Sequence, residues 1–182
     1  KLIGDFLAAW AIQTHTATVL EPSCGDGNLL ESAASTLLTL GARPSAVARN
    51  IHGVEIDWIE AQKAAARLRV LGVPHHEGQI ENSDFFAYCV AHLNDQRLFD
   101  AVIGNPPFIR YQNFLEEHRV PAFELMAKAG LKPNRLTNAW VPFLLASSLL
   151  LNDHGRMAMV IPAELLQVKY AASLRRFISD YY

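Results

Sequence analysis

Apolar residues recur along this chain in two alternating rhythms, one of helical and one of strand spacing. Residues 2–13 place Leu2, Phe6, Ala9 and Trp10 on one helical stripe. Residues 17–20 are a short apolar run, followed by the turn-forming sequence Glu21-Pro22-Ser23-Cys24-Gly25-Asp26-Gly27. A second helical pattern covers residues 28–40 and stops at Gly41. Residues 51–55 read as a strand, 58–71 as an Ala-rich helix ending at Gly72, and 75–80 as a third strand. Residues 99–103 form a strand apolar enough to lie at the centre of a sheet. Two further helices are predicted at 114–129 and 138–151, a fifth strand at 157–161 and a last helix at 171–178.

Strands apolar on both faces, alternating with helices, imply an α/β domain whose parallel sheet is covered by helices on both sides. In that architecture right-handed crossovers bring ligand-binding loops to the carboxyl ends of the strands. Residues 110–136 are the least regular stretch and are expected to form a mobile loop and helix over the active site.

Composition narrows the class. The chain has 182 residues, enough for one domain, with 51% hydrophobic and 19% charged residues. A net charge of −2 argues against a free-standing nucleic-acid binder, though a basic surface elsewhere in a longer protein would meet that need. Cys24 and Cys89 make neither a disulfide framework nor a zinc site, and the neighbouring His75 and His76 would point to opposite faces of a strand. No metal, membrane span or signal segment is expected, and the default location is cytoplasmic.

Four short motifs fall at strand ends. In the first, residues 21–28, Gly25 and Gly27 permit a tight turn and a close backbone approach to a ligand. Leu30 stands where a dinucleotide fingerprint needs a small residue, which disfavours a nicotinamide dehydrogenase. The second, Val54-Glu55-Ile56-Asp57, offers Glu55 to ribose hydroxyls and Asp57 as a helix cap. The third, Ser83-Asp84-Phe85-Phe86, offers an acceptor for an adenine amino group and an aromatic cover, or else a cap and a core aromatic. The fourth, Asn105-Pro106-Pro107-Phe108, carries the specific signal. Two prolines after a buried strand fix a rigid extended turn. The Asn105 side-chain oxygen and the Pro106 carbonyl are then two acceptors facing one small volume, with Phe108 as a plate beside them.

Such a constellation suits methyl transfer to an exocyclic amine. The amine lone pair is delocalised into the base, so the nitrogen is a poor nucleophile. Two acceptors on its hydrogens stabilise the charge that develops as it attacks a sulfonium methyl. A stacked aromatic holds the base in line, and a base drawn from a duplex must first be flipped out.

These residues, in this order and together with residues 155–162 (Gly-Arg-Met-Ala-Met-Val-Ile-Pro), resemble the γ-class N6-adenine DNA methyltransferases of the Taq type, which include restriction–modification enzymes. The resemblance runs through almost the whole chain. It implies a Rossmann-like class I S-adenosylmethionine (AdoMet)-dependent methyltransferase fold, cut before the last two strands. It also implies double-stranded DNA as partner and a restriction or phage-defence setting. Carried over by position, Glu21, Cys24 and Gly25 wall the methionine end of AdoMet, with Gly27 and Pro107 beside the cofactor. Glu55 binds the ribose, Ile56 packs on the adenine, and Asp84 and Phe85 meet its amino group and ring. Phe143 packs near the cofactor. Asn105 and Pro106 hold the target amine, and Phe108 stacks on the target base.

Three departures bear on this. The tetrapeptide ends in Phe108 where the family commonly has Tyr, the usual Thr-Pro before Asp5-Phe6 is missing, and the family's target-recognition domain would lie beyond Tyr182. Release-factor glutamine and ribosomal-RNA guanine-N2 methyltransferases share the tetrapeptide chemistry, and N4 of cytosine has the same amine geometry. A non-catalytic nucleotide-binding specificity module is the alternative from another class. His118 and Arg119 are candidate DNA contacts, and Lys169, Arg175 and Arg176 are either phosphate contacts or a solvated helix face.

Overall fold

Five strands lie side by side in the order β3-β2-β1-β4-β5, every neighbouring pair parallel. They are β1 (Val19–Glu21), β2 (Ile51–Val54), β3 (Ile80–Glu81), β4 (Phe99–Gly104) and β5 (Leu151–Met159). The helices are α1 (Leu2–Ala11), α2 (Asn28–Thr39), α3 (Pro44–Asn50), α4 (Trp58–Val70), α5 (Phe85–Asn94), α6 (Glu116–Lys128), α7 (Trp140–Leu149) and α8 (Ala172–Tyr181). This computed structural model describes residues 1–76, 78–94, 98–133, 137–163 and 172–181.

Strand periodicity sends alternate side chains to opposite sides of the sheet. Val19, Ile51, Ala101 and Ile103 join a core with Ala8, Leu30, Leu37, Val47 and Leu68 from α1 to α4. Leu20, Val54 and Val102 join a second core with Phe85, Phe86, Phe114 and Phe143 on the other face. A third cluster around the fully buried Trp140 joins α6, α7 and α8.

The end of the sheet away from the loops described below is tied by Asp100. Its Oδ2 accepts from the Thr18 amide at 2.8 Å and the Thr18 hydroxyl at 3.0 Å, and its Oδ1 accepts from Asn152. The amides of Asp100 and Ala101 both donate to the Thr18 carbonyl, a β-bulge that turns Phe99 to the opposite face from Ala101.

The structure corrects several expectations. The stripe on α1 faces outward: Leu2, Phe6 and Trp10 are 88%, 69% and 48% exposed. The buried face is Gly4, Ala8 and Ala11, small residues that let α1 lie close on α2. The third strand is only Ile80–Glu81, because pairing begins where Gly53 meets Ile80. The fifth strand starts at Leu151 instead of residue 157, with a register shift that loops out the residues between Leu151 and Arg156. Helix α3 was not anticipated, and α5 only through the reading of Asp84 as a cap. Within residues 110–133 the expected loop contains a 3₁₀ turn (Tyr111–Asn113), and the expected helix is α6.

Asp100→Ala should lower stability by about 1–3 kcal/mol, read as the urea unfolding midpoint. Asp100→Asn should cost less, since it keeps an acceptor toward Thr18 and the Asn152 amide can turn over.

Candidate active site

Strands β1 and β4 are neighbours, yet the chain leaves β1 for α2 on one face and β4 for the α6–α7 side on the other. Loops after such a pair diverge and leave a crevice at the carboxyl ends. A cavity of about 520 Å³ occupies this place. Gly25 lines it from the loop after β1, Glu55 and Ile56 from the loop after β2, and Asp84 and Phe85 from that after β3. Asn105 and Pro107 line it from the loop after β4, and Phe143 from α7.

The glycine loop is built by backbone geometry and clamped by charge. Gly27 has φ +85°, and a Cβ there would lie 2.7 Å from Ala64 Cα, so only glycine allows the loop to rest on α4. Gly25 has φ +51° with nothing within 4 Å of a Cβ position, so its bare backbone opens onto the cavity. Arg67 on α4 donates to the Asp26 carbonyl at 3.0 Å, to the Asp26 carboxylate at 2.7 Å and to Glu31 at 2.9 Å. The Arg67 hydrogen bond is also the main reason the Glu31 carboxyl lies below the usual carboxylate range.

Glu55 joins two loops. Its Oε2 accepts the Gly25 amide at 2.8 Å and its Oε1 the Asp57 amide at 2.8 Å. Asn82 donates to the carbonyls of Glu55 and Ile56 at 2.8 and 2.9 Å, fixing the same turn from the other side. Asp57 caps α4 through the amides of Ile59 and Glu60, the role expected of it. Ile56 is 56% exposed, an apolar plate at the cavity wall.

Asp84 caps α5: its Oδ1 accepts the amides of Phe86 and Ala87, both at 3.0 Å. Its Oδ2 lies 3.0 Å from His118 Nδ1 on α6. Phe85 is nearly buried and stacks on Phe143, with centroids 5.2 Å apart and planes at 18°. Asp84-Phe85 is thus a cap and a core aromatic, and both residues stand at the cavity wall.

Five candidates stand off the lining. Glu21 and Cys24 are buried behind it. Gly27 lies beneath the loop on α4, and Pro106, within the tetrapeptide, is buried. Phe108 is 55% exposed outside the cavity. Glu21 Oε2 has no hydrogen-bond partner. Burial raises its carboxyl well above the ordinary range; the Leu30 amide opposes this, and the charges of Asp26 and Glu55 add to it. Burial likewise pushes the Cys24 thiol up, with Glu21 and Glu55 adding, so Cys24 is a packed thiol and not a nucleophile.

The loop and helix expected over the site supply a wall made by Asn113, Phe114, Leu115 and His118, although only His118 among them was singled out; the Arg67 clamp was missed. His118 turns inward to Asp84, and Arg119 folds back over the Tyr111 ring at 4.7 Å while donating to the Phe114 carbonyl. Lys169 lies outside the described residues. Among the described residues no cluster of His, Cys, Asp and Glu could hold a metal ion, and no helix is long and apolar enough to cross a membrane.

The strand order and the placement of the cavity define the fold of class I AdoMet-dependent methyltransferases. A type I restriction–modification methyltransferase subunit from Streptococcus thermophilus superposes with a TM-score of 0.71 at 19% identity, over 97% of this chain and 37% of that one. Residues 49–182 match the Eco57I restriction-modification methylase family, and the chain belongs to that family. It is 26% identical to the type II methyltransferase M.BstVI of Geobacillus stearothermophilus over 90% of this chain and 32% of that protein. It is 28% identical to M.HincII of Haemophilus influenzae over 97% of this chain and 29% of that protein. The chain thus spans about a third of the length of these curated relatives.

The buried carboxyl of Glu21 sets a pH-dependent penalty. The unfolded chain ionises it in the ordinary range while the folded chain resists, so its contribution to stability falls as pH rises from that range toward the raised folded value. Glu21→Gln should therefore gain stability over the parent, by an amount that grows over the pH range above ordinary carboxylate values. Urea midpoints across that range read it; a difference that stays constant would contradict the assignment.

Proposed function

We infer that this chain carries the catalytic part of a DNA methyltransferase, which transfers the methyl group of AdoMet to N6 of an adenine flipped from the duplex. The observation that carries the reading is the Asn105-Pro106-Pro107-Phe108 turn at the end of β4, with Asn105 and Pro107 on the cavity wall and Phe108 exposed beside it. Membership of a restriction–modification methylase family supports it.

The residues present fit AdoMet. Gly25 presents open backbone, the half-buried Glu55 carboxylate keeps acceptor positions beside its two amide bonds for ribose hydroxyls, and Ile56 and Phe85 offer apolar surface for an adenine ring. Asp84 is an acceptor for the adenine amine. Behind the loop, the unpartnered Glu21 Oε2 is a latent negative charge near the end that would hold the ammonium and sulfonium. When bound, AdoMet supplies an electrophilic methyl on a positively charged sulfur.

The chain's own residues hold and polarise the acceptor. The Asn105 side-chain oxygen and the Pro106 carbonyl accept the two amine hydrogens. This draws the nitrogen lone pair out of conjugation and stabilises the charge that forms on attack. The prolines keep both acceptors in place without induced motion, so the orientation is set before the base arrives. Phe108, with 55% of its surface free, offers a face for the extruded base. Stacking needs no hydroxyl, so Phe serves there as Tyr would.

Two substitutions should separate binding from chemistry in the full-length protein. Asn105→Ala should cut methyl transfer to DNA by roughly 100- to 1,000-fold while leaving AdoMet affinity largely intact. Glu55→Ala should weaken AdoMet binding first. Transfer with labelled AdoMet and calorimetric titration read the two effects; the reverse pattern would exchange the roles and sink the assignment.

A further inference from the structure

We propose that His118 is a positioning residue for the cofactor's adenine: it fixes the carboxylate of Asp84 so that its second oxygen reads the 6-amino group. The proposal rests on the cofactor reading given above and adds a residue on α6 that no strand-end motif contains.

The geometry of Asp84 leaves a defined vacancy for one donor. A carboxylate has roughly four acceptor positions. Oδ1 is taken by the Phe86 and Ala87 amides at 3.0 Å each. Oδ2 receives Nδ1 of His118 at 3.0 Å, which leaves one position on that oxygen. The side chains of Asp84 and His118 stay 20% and 24% exposed, and both line the cavity. The amides alone hold one oxygen, and torsion about the Cβ–Cγ bond of a carboxylate is soft. A second hold on Oδ2 removes that freedom, so the open acceptor position points one way.

The wall that carries His118 does not depend on the imidazole. Phe114 is 4% exposed and packs on Phe86 and Phe123, with centroids 5.9 and 6.4 Å away. Arg119 ties the same turn through the Phe114 carbonyl at 3.1 Å and the Tyr111 ring. Glu117 lies near Nε2 of His118, 3.5 Å away, on the side of the ring opposite Asp84. Removing the ring therefore frees Asp84 more than it frees α6.

A fixed acceptor discriminates by chemistry. Adenine presents an N–H donor at position 6, whereas hypoxanthine presents a carbonyl oxygen, which a carboxylate repels. The probes are S-adenosylhomocysteine and its deaminated analogue S-inosylhomocysteine, titrated calorimetrically into the chain and into His118→Ala and His118→Asn. The parent should bind the adenine ligand more tightly. His118→Ala should lose roughly tenfold for the adenine ligand and little for the hypoxanthine ligand, so discrimination collapses. His118→Asn, which keeps a donor near the Nδ1 position, should restore it. Equal losses for both ligands would show a merely structural role and overturn the proposal. Tighter binding of the adenine ligand to His118→Ala would show that His118 competes with it, and would also overturn the proposal. No binding of S-adenosylhomocysteine by the parent would remove the cofactor reading itself, whereas binding with unchanged discrimination in His118→Ala removes only the role of His118.

Discussion

The pairing of β1 with β4 is the constraint on which this site depends. These strands are adjacent and parallel but far apart in sequence, with Val19 opposite Ala101 and Leu20 opposite Val102. The loop that follows β1 and the tetrapeptide that follows β4 therefore emerge side by side and diverge to opposite faces. The Thr18–Asp100–Asn152 hydrogen bonds lock the far end of the same strands. Relative sliding there would carry Asn105 away from Gly25, so a tie at the far end of the sheet sets the geometry of the cavity.

Negative charge is concentrated behind and beside the glycine loop. The charges of Asp26 and Glu55 add to the cost of ionising the buried Glu21, and Arg67 pairs only with Asp26 among the three. Glu55 spends its carboxylate on two backbone amides, and Glu21 is left with an unpartnered oxygen. An unsatisfied buried carboxyl destabilises the free fold, and under the proposed function a cationic ligand near it would return that cost as affinity. Pre-organisation and instability are here two aspects of one arrangement.

Much of this was legible in the sequence because strand ends carry their chemistry in contiguous residues. The glycine loop, Val54-Glu55-Ile56-Asp57, Asp84-Phe85 and the tetrapeptide each sit within one turn, and most of their residues meet at one cavity. What was not legible came from pairs distant in sequence. Nothing around Arg67 signals that it reaches Asp26, and nothing around His118 signals Asp84. The outward face of α1 was misread because close approach to α2 selects Gly4, Ala8 and Ala11 over the larger stripe of Leu2, Phe6 and Trp10. Helix α3 was too short for its buried pair, Val47 and Ala48, to show a period. The start of β5 was hidden by the looped-out residues, whose polarity reads as a connection.

The proposed activity is methylation of an adenine amine in DNA by the cavity and the tetrapeptide together. Its most direct test is nucleoside mass spectrometry of mixed-sequence duplex DNA after incubation of the full-length protein with AdoMet bearing a trideuterated methyl group. Label is expected in N6-methyldeoxyadenosine and not in N4- or 5-methyldeoxycytidine. Label in a cytosine derivative, or none in DNA from a protein that binds AdoMet, would contradict it.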